Sequence, residues 1–292
     1  MSRWKAEGAL AANTVVWGAT FVLVKAALED VSPLLFLALR FSLAAAALAA
    51  VFGGGLRARF NWRAAGAGGL AGMFLFCGYA LQTMGLRLTT APKSAFLTGL
   101  TSVMVPLVGS LVYRIRPQAS ELIGVLVATA GLALMTLQSA IGAMSRGDLL
   151  TVLCAVAFAA HIVTLGHFAE QMSFEILSVF QIVTAAALAL ALFGWVETPH
   201  LEWRPAVVGA ILITGLLATA LAFTIQAWAQ QYTTSTRTAL IYMLEPVVAW
   251  MTSYLIVGEG LSRRAAVGAA LILGGVVLVE MKPLNSRPHP SK

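Results

Sequence analysis

The chain has 292 residues, 59% of them hydrophobic and only 11% charged, with a formal net charge of +7. Water-soluble domains carry about 25% charged residues, so this chain has too little polar surface to cover a globule of its size in water. Its Lys and Arg residues sit in short connections and tails between apolar stretches, which excludes nucleic acid as the partner that the charge serves.

The apolar stretches run to roughly 20 residues, the length that crosses a hydrocarbon core as helix. They predict ten spans, at residues 8–28, 34–52, 64–86, 91–112, 118–138, 147–168, 173–195, 206–229, 235–257 and 262–281. Strand alternation is absent, so an outer-membrane barrel is not expected. The first stretch is too long for a signal-peptide core and is read as a span. Span 1 carries Asn13, placed to bond across helices, and Trp17. Span 2 carries Arg40, one to two turns from its outer end and expected to snorkel. The Gly53-Gly54-Gly55 run that follows is not a phosphate loop, since it lacks a Gly-Lys-Ser/Thr ending. Span 3 begins with a small-residue run from Gly66 to Gly72 and continues through Cys77, Tyr79 and Gln82. Span 4 holds Thr98, Thr101, Ser102 and Pro106, and span 6 holds Cys154, Phe158 and His161. The two cysteines both lie in apolar segments and are expected to be packed thiols. Phe223 and Gln226 lie in span 8, and Tyr242, Glu245 and Pro246 in span 9.

An even number of spans puts both termini on one side. With the N-terminus in the cytoplasm, eleven Lys and Arg residues fall inside (Arg237 among them) and seven outside (Lys93 among them), the orientation the positive-inside rule favours. The bias comes from the first half, seven against three; the second half is even. Lys93 and Arg237 are expected at opposite mouths, guiding anionic groups or snorkelling to headgroups.

The chain also repeats. At an offset of 141 residues, span 1 falls on span 6 and span 2 on span 7, with Trp17 on Phe158 and Ser32 on Ser173. At an offset of 144, Tyr79 falls on Phe223, Gln82 on Gln226, Lys93 on Arg237, Gly124 on Gly268 and Gly131 on Gly275. Each half has five spans. Five is odd, so the second half enters the membrane from the opposite face, which makes an inverted repeat. The expected fold is therefore all-α, a polytopic membrane protein of ten transmembrane helices. Its halves run over 8–138 and 147–281, with a cytoplasmic tail at 282–292.

Two five-span halves, the Glu245-Pro246 pair, the Gly258-Glu259 pair after it and the small-residue run from Gly268 resemble the EamA family of the drug/metabolite transporter superfamily. The resemblance covers residues 8 to 281 and is strongest toward bacterial inner-membrane exporters of aromatic amino acids and related metabolites. First-half counterparts depart from the pattern, with Ser102 at the Pro246 position and Ile115 at the Glu259 position.

Glu245 stands about ten residues into span 9, roughly 15 Å deep. An ionised carboxylate there costs roughly 2.5–3.5 kcal/mol on insertion scales. No Lys or Arg is predicted at that depth, and His161 is the other titratable group placed near it. Pro246 removes a helix N–H and leaves a carbonyl free. Glu245 is thus either a neutral acid that patches the kink or a carboxylate that couples transport to protons. Pro106 and Pro246 are the expected hinges, because proline-interrupted spans in corresponding places of two halves point to the binding site. The expected substrate-binding set is Trp17, Tyr79, Gln82, Thr98, Ser102, Phe158, His161, Phe223, Tyr242 and Glu245, apolar walls with a few polar groups.

These readings converge on a secondary transporter that carries small organic solutes by alternating access, and the resemblance implies that it exports them. The resemblance implies amino acids, aromatic or otherwise apolar. A proton-coupled exporter of lipophilic cations is the alternative, and an intramembrane enzyme a distant one, since the spans hold too few titratable groups for a catalytic set. No cofactor or metal is expected. The partners are a solute and the lipid bilayer, and a monomer suffices because each chain supplies both halves. The expected location is the bacterial inner membrane.

Overall fold

A computed structural model describes residues 3–88, 91–137, 145–248, 251 and 262–281. Its helices are α1 (Arg3–Ala27), α2 (Pro33–Arg59), α3 (Trp62–Leu86), α4 (Ala91–Gly99), α5 (Thr101–Tyr113), α6 (Ala119–Thr136), α7 (Arg146–Ala169), α8 (Phe174–Val196), α9 (Pro205–Gly215), α10 (Ala222–Ala229), α11 (Ser235–Tyr242) and α12 (Arg263–Glu280). A π-helical segment, Leu216–Leu221, joins α9 to α10. Span 4 is thus α4 with α5, span 8 is α9 through α10, and span 9 begins with α11. The protein is all-α, with two inverted halves. Seven helices among the described residues are long and apolar enough to cross a membrane. Thr89, Thr90, the Lys93 side chain, the Gly258-Glu259 pair, the end of span 9 and the 282–292 tail lie outside what is described.

Local chemistry sets the helix starts. Pro33 and Pro205 open α2 and α9, where a missing N–H removes nothing from the ladder. Ser145 and Asp148 close a capping box on α7: the Asp148 N–H donates to Ser145 Oγ at 3.1 Å, and the Ser145 N–H donates to Asp148 Oδ2 at 2.7 Å. The Gly53 to Gly55 run lies inside α2, with open space around each glycine.

The packing follows the repeat. The main helix contacts are α6 on α12, α3 on α7, and α8 on both α2 and α3, with α1 lying along α9 and α10. In spans these pairs are 5–10, 3–6, 2–7, 3–7 and 1–8. Exchanging the halves leaves 5–10 and 2–7 unchanged and turns 3–6 into 8–1. A pseudo-two-fold axis in the membrane plane requires this pattern.

The axis is visible at atomic scale between α6 and α12. A Cβ placed on Gly131 would lie 2.5 Å from the Gly268 carbonyl oxygen, and one on Gly268 would lie 2.5 Å from the Gly131 carbonyl oxygen. Gly124 and Gly275 face each other in the same way, at 2.9 and 2.7 Å. Gly124 is the repeat mate of Gly268, and Gly131 of Gly275, so each contact is the other's image. Lipid tails are as apolar as leucine, so helices associate through close van der Waals contact, and small residues permit it.

Adding one methyl group at this contact should overpack it. Gly131→Ala is expected to destabilise the protein by about 1–3 kcal/mol. Gly54→Ala, in open space, should be neutral or stabilising by up to about 1 kcal/mol. Unfolding of the two variants side by side in detergent tests the difference.

Candidate functional site

Three helix interruptions surround the centre of the molecule. Span 4 breaks at Leu100, between α4 and α5, and span 9 breaks at Met243 and Leu244, after α11. Leu100 and Leu244 are repeat mates at the offset of 144. At the second break the N–H groups of Met243 and Leu244 reach back only three residues, to Leu240 and Ile241 at 3.1 and 3.0 Å. The chain is helical again over 245–248.

The two halves stabilise this shared break differently. In span 4 the Thr101 hydroxyl donates to the Thr98 carbonyl at 2.6 Å, and Ser102 donates to the Gly99 carbonyl at 3.0 Å. Their mates in span 9 are Glu245 and Pro246. Pro106, read from the sequence as the span 4 hinge, lies inside α5 instead, six residues past the break. Hydroxyl groups bonding their own backbone bend this helix where the sequence suggested proline would.

The third interruption, the π segment of span 8, has no sequence signal such as proline. Its widened turn presents carbonyls to neighbouring helices. The Ala218 carbonyl accepts from Trp17 Nε1 at 2.8 Å and from Arg40 Nη2 at 3.2 Å, and just past the segment, at the start of α10, the Ala222 carbonyl accepts from Asn13 Nδ2 at 2.8 Å.

Arg40 does not snorkel. It is 4% exposed; its Nε donates to Thr219 Oγ1 at 2.6 Å, its Nη2 reaches the Tyr79 hydroxyl at 3.3 Å, and its Cζ sits 4.7 Å from the Tyr79 ring centroid. The expectation that no Lys or Arg reaches mid-depth is thereby corrected. Close approach makes the placement possible, since Gly215 lies where a Cβ would sit 3.2 Å from the Arg40 carbonyl oxygen. Gln181, the repeat mate of Arg40, is packed the same way against Gly72.

Around Arg40 runs a continuous chain of rings. Tyr242 meets Trp17 at 4.8 Å between centroids, Trp17 meets Phe223 at 5.5 Å, Phe223 meets Tyr79 at 6.2 Å, and Tyr79 meets Phe158 at 5.2 Å. All are tilted or edge-on, the arrangement that ring quadrupoles favour. His161 is edge-on to Phe223 at 5.6 Å, and its Nε2 pairs with Gln181 Oε1 at 2.8 Å. The histidine therefore partners Gln181 rather than Glu245.

Of the predicted residues, Trp17, Tyr79, Phe158, His161, Phe223 and Tyr242 come together. Gln82 and Thr98 form a separate polar contact between spans 3 and 4, at 3.5 Å. Ser102 is buried, its hydroxyl turned to its own backbone. Glu245 is half-buried, three residues past Tyr242, and its carboxylate makes no hydrogen bond or ion pair among the described residues. The sequence reading missed Arg40, Gln181 and Thr219. The signal for the first two was available, because Arg40 and Gln181 coincide at the offset of 141.

A second polar feature closes the predicted cytoplasmic end. Arg237 is fully buried and does not snorkel. It lies 3.5 Å from Glu7 Oε1 on α1 and 3.6 Å from Glu121 Oε1 on α6. Thr233 and Thr234 donate to the same two carboxylates at 2.8 and 2.7 Å, and Arg3 pairs with Glu7 at 3.1 Å. Two cations and two anions thus tie spans 1, 5 and 9 together.

A ten-helix bundle of two inverted halves, with a polar and aromatic site between them, defines a membrane transporter. The EamA-like transporter family model matches residues 4–137 and again 145–281, and the chain belongs to that family, which is one of transporters rather than enzymes. It is 32% identical over 283 residues to an uncharacterized transporter of Archaeoglobus fulgidus, covering 97% of this chain and 88% of that one. It is 21% identical over 273 residues to the uncharacterized transporter YoaV of Bacillus subtilis, covering 91% and 93%. A solved crystal structure shares the fold, with a TM-score of 0.78 at 20% identity over 95% of this chain and 97% of the other.

Removing one partner of a buried ion cluster leaves the others uncompensated, at a cost of about 3–5 kcal/mol. Arg237→Ala is expected to lose stability on that scale, measured as a fall in the thermal unfolding midpoint in detergent. Arg204→Ala, whose exposed side chain pairs with Glu202 and Asp30, is expected to lower the midpoint by far less.

Proposed function

We propose that this transporter exports amino acids with aromatic or other apolar side chains, and related metabolites, from the cytoplasm. The two halves, 8–138 and 147–281, rock about the central site so that it opens alternately to each face. Both termini and the 282–292 tail lie in the cytoplasm of a bacterial inner membrane, and one chain is the working unit. The observation that carries this reading is the chain of rings from Tyr242 to Phe158, an apolar wall of the size and stacking character that an aromatic side chain needs. The solute is held by Trp17, Tyr79, Phe158, Phe223 and Tyr242, with His161 supplying a polar edge and Glu245 a carboxyl group, while Gln82, Thr98 and Ser102 stand outside this cluster. The breaks before Pro246 and near Pro106 let the two half-helices move.

Glu245 also supports a second reading, proton-coupled export of lipophilic cations, since an acid beside aromatic rings suits a cation. Arg40 on the same chain of rings weighs against it, because a fixed positive charge repels such a ligand.

Flux of radiolabelled phenylalanine in proteoliposomes tests both. Wild type is expected to move phenylalanine, faster with an opposing proton gradient. Glu245→Gln is expected to lose the response to the gradient. Equal flux in both proteins at every gradient would leave Glu245 a neutral acid at the Pro246 break. Movement of tetraphenylphosphonium without any movement of phenylalanine would establish the second reading.

A further inference from the structure

We propose that Arg40 is the carboxylate-binding residue of the central site, and that the transported solute carries a single negative head group. The inference rests on the amino-acid reading above and narrows it.

Three observations support it. Arg40 is a buried cation whose hydrogen-bond partners are all neutral: the Thr219 hydroxyl, the Ala218 carbonyl and the Tyr79 hydroxyl. No carboxylate lies within ion-pair distance of it among the described residues. Arg237, also buried, shows how this chain treats a cation that serves the fold, by giving it two acids. Burying a lone charge is costly unless it is paired, so Arg40 stands ready for an anion that is not part of the protein.

The guanidinium is held but not saturated. It has five N–H donors, and the bonds found use Nε and Nη2. Nη1 makes no hydrogen bond among the described residues. Thr219 and Ala218 fix the plane of the guanidinium, as preorganised recognition of a carboxylate demands. Both come from the π segment, so the irregular turn of span 8 positions this cation.

The surroundings choose the body behind the head group. Arg40 stands over Tyr79, whose ring touches Phe158 and Phe223, so a carboxylate on Arg40 places the rest of the ligand against aromatic faces. One cation balances one negative charge. A doubly charged phosphate would keep an uncompensated charge in the site, which excludes phosphorylated sugars and nucleotides from it. Glu245, three residues beyond the Tyr242 end of the rings, stands free to meet an ammonium group.

The test uses purified full-length protein. Binding of 3-phenylpropionate and of its neutral isostere 3-phenylpropionamide is measured by thermal shift on wild type and on Arg40→Gln. Wild type is expected to bind the carboxylate about tenfold or more tightly than the amide, and Arg40→Gln to bind both equally. A carboxylate preference that survives in Arg40→Gln would overturn the proposal, whatever that variant's own midpoint. Should Arg40→Gln not fold, Arg40→Lys keeps the charge and loses the planar fork, and its carboxylate preference is expected to fall severalfold. An unchanged preference in Arg40→Lys, or no preference in wild type, would equally sink the idea. Flux separates this proposal from the reading beneath it. If the carboxylate binds through Arg40 and phenylalanine does not move, amino-acid export fails and the carboxylate site stands. If phenylalanine and phenylalaninamide move equally, the carboxylate site fails and export stands.

Discussion

Inside a bilayer, a helix carbonyl that loses its amide partner has no water to turn to, and irregular backbone survives only where protein groups satisfy it. The centre of this molecule is organised by that constraint. The π turn of span 8 offers the Ala218 carbonyl to Trp17 and Arg40, and the first residue of α10, Ala222, offers its carbonyl to Asn13. Those donors are also what brings Trp17 into the chain of rings and sets Arg40 over Tyr79. The break of span 4 meets the same demand locally, with the hydroxyls of Thr101 and Ser102. Backbone irregularity and side-chain chemistry are therefore one feature: without the interruptions the polar groups would have no partners, and without the polar groups the interruptions would not persist.

The frame that holds this centre is apolar and nearly symmetric. Glycine pairs across the axis let α6 and α12 touch backbone to backbone. Gly72 and Gly215 do the same for the helices that carry Gln181 and Arg40. The most buried ion cluster lies at one end, where Glu7, Glu121, Arg3 and Arg237 neutralise one another; the pairs of Arg204 with Glu202 and Asp30 sit at the other, more exposed end. Packing supplies cohesion throughout the bundle, while the buried ion cluster joins spans 1, 5 and 9.

Much of this was legible in the sequence because hydropathy and periodicity act over long stretches. The ten spans, the inverted halves and the glycine mates of α6 and α12 all follow from patterns many residues long. Six aromatic and imidazole residues were also legible as neighbours, because repeat mates must lie near the axis when their spans do. What the sequence hid were choices made by tertiary contacts. Arg40 is long enough either to reach headgroups or to reach Ala218, and its spacing is the same in both cases; only the unmarked π turn decides. Arg237 looked like a headgroup anchor because its partners, Glu7 and Glu121, stand 230 and 116 residues away in the chain. Pro106 misled because proline signals a break only weakly when hydroxyl groups one turn earlier already provide one.

The π turn has one more consequence. Span 3, the mate of span 8, is an unbroken α-helix from Trp62 to Leu86. Two identical halves would make the inward-open and outward-open forms equivalent, equal in free energy and in hold on the solute. An irregular turn on one side alone removes that equality. A difference of only about 1.4 kcal/mol between the two forms gives a tenfold preference for one of them. Under the alternating access proposed above, a single extra-wide turn is enough to give the carrier a resting side, and with it different solute affinities at its two faces.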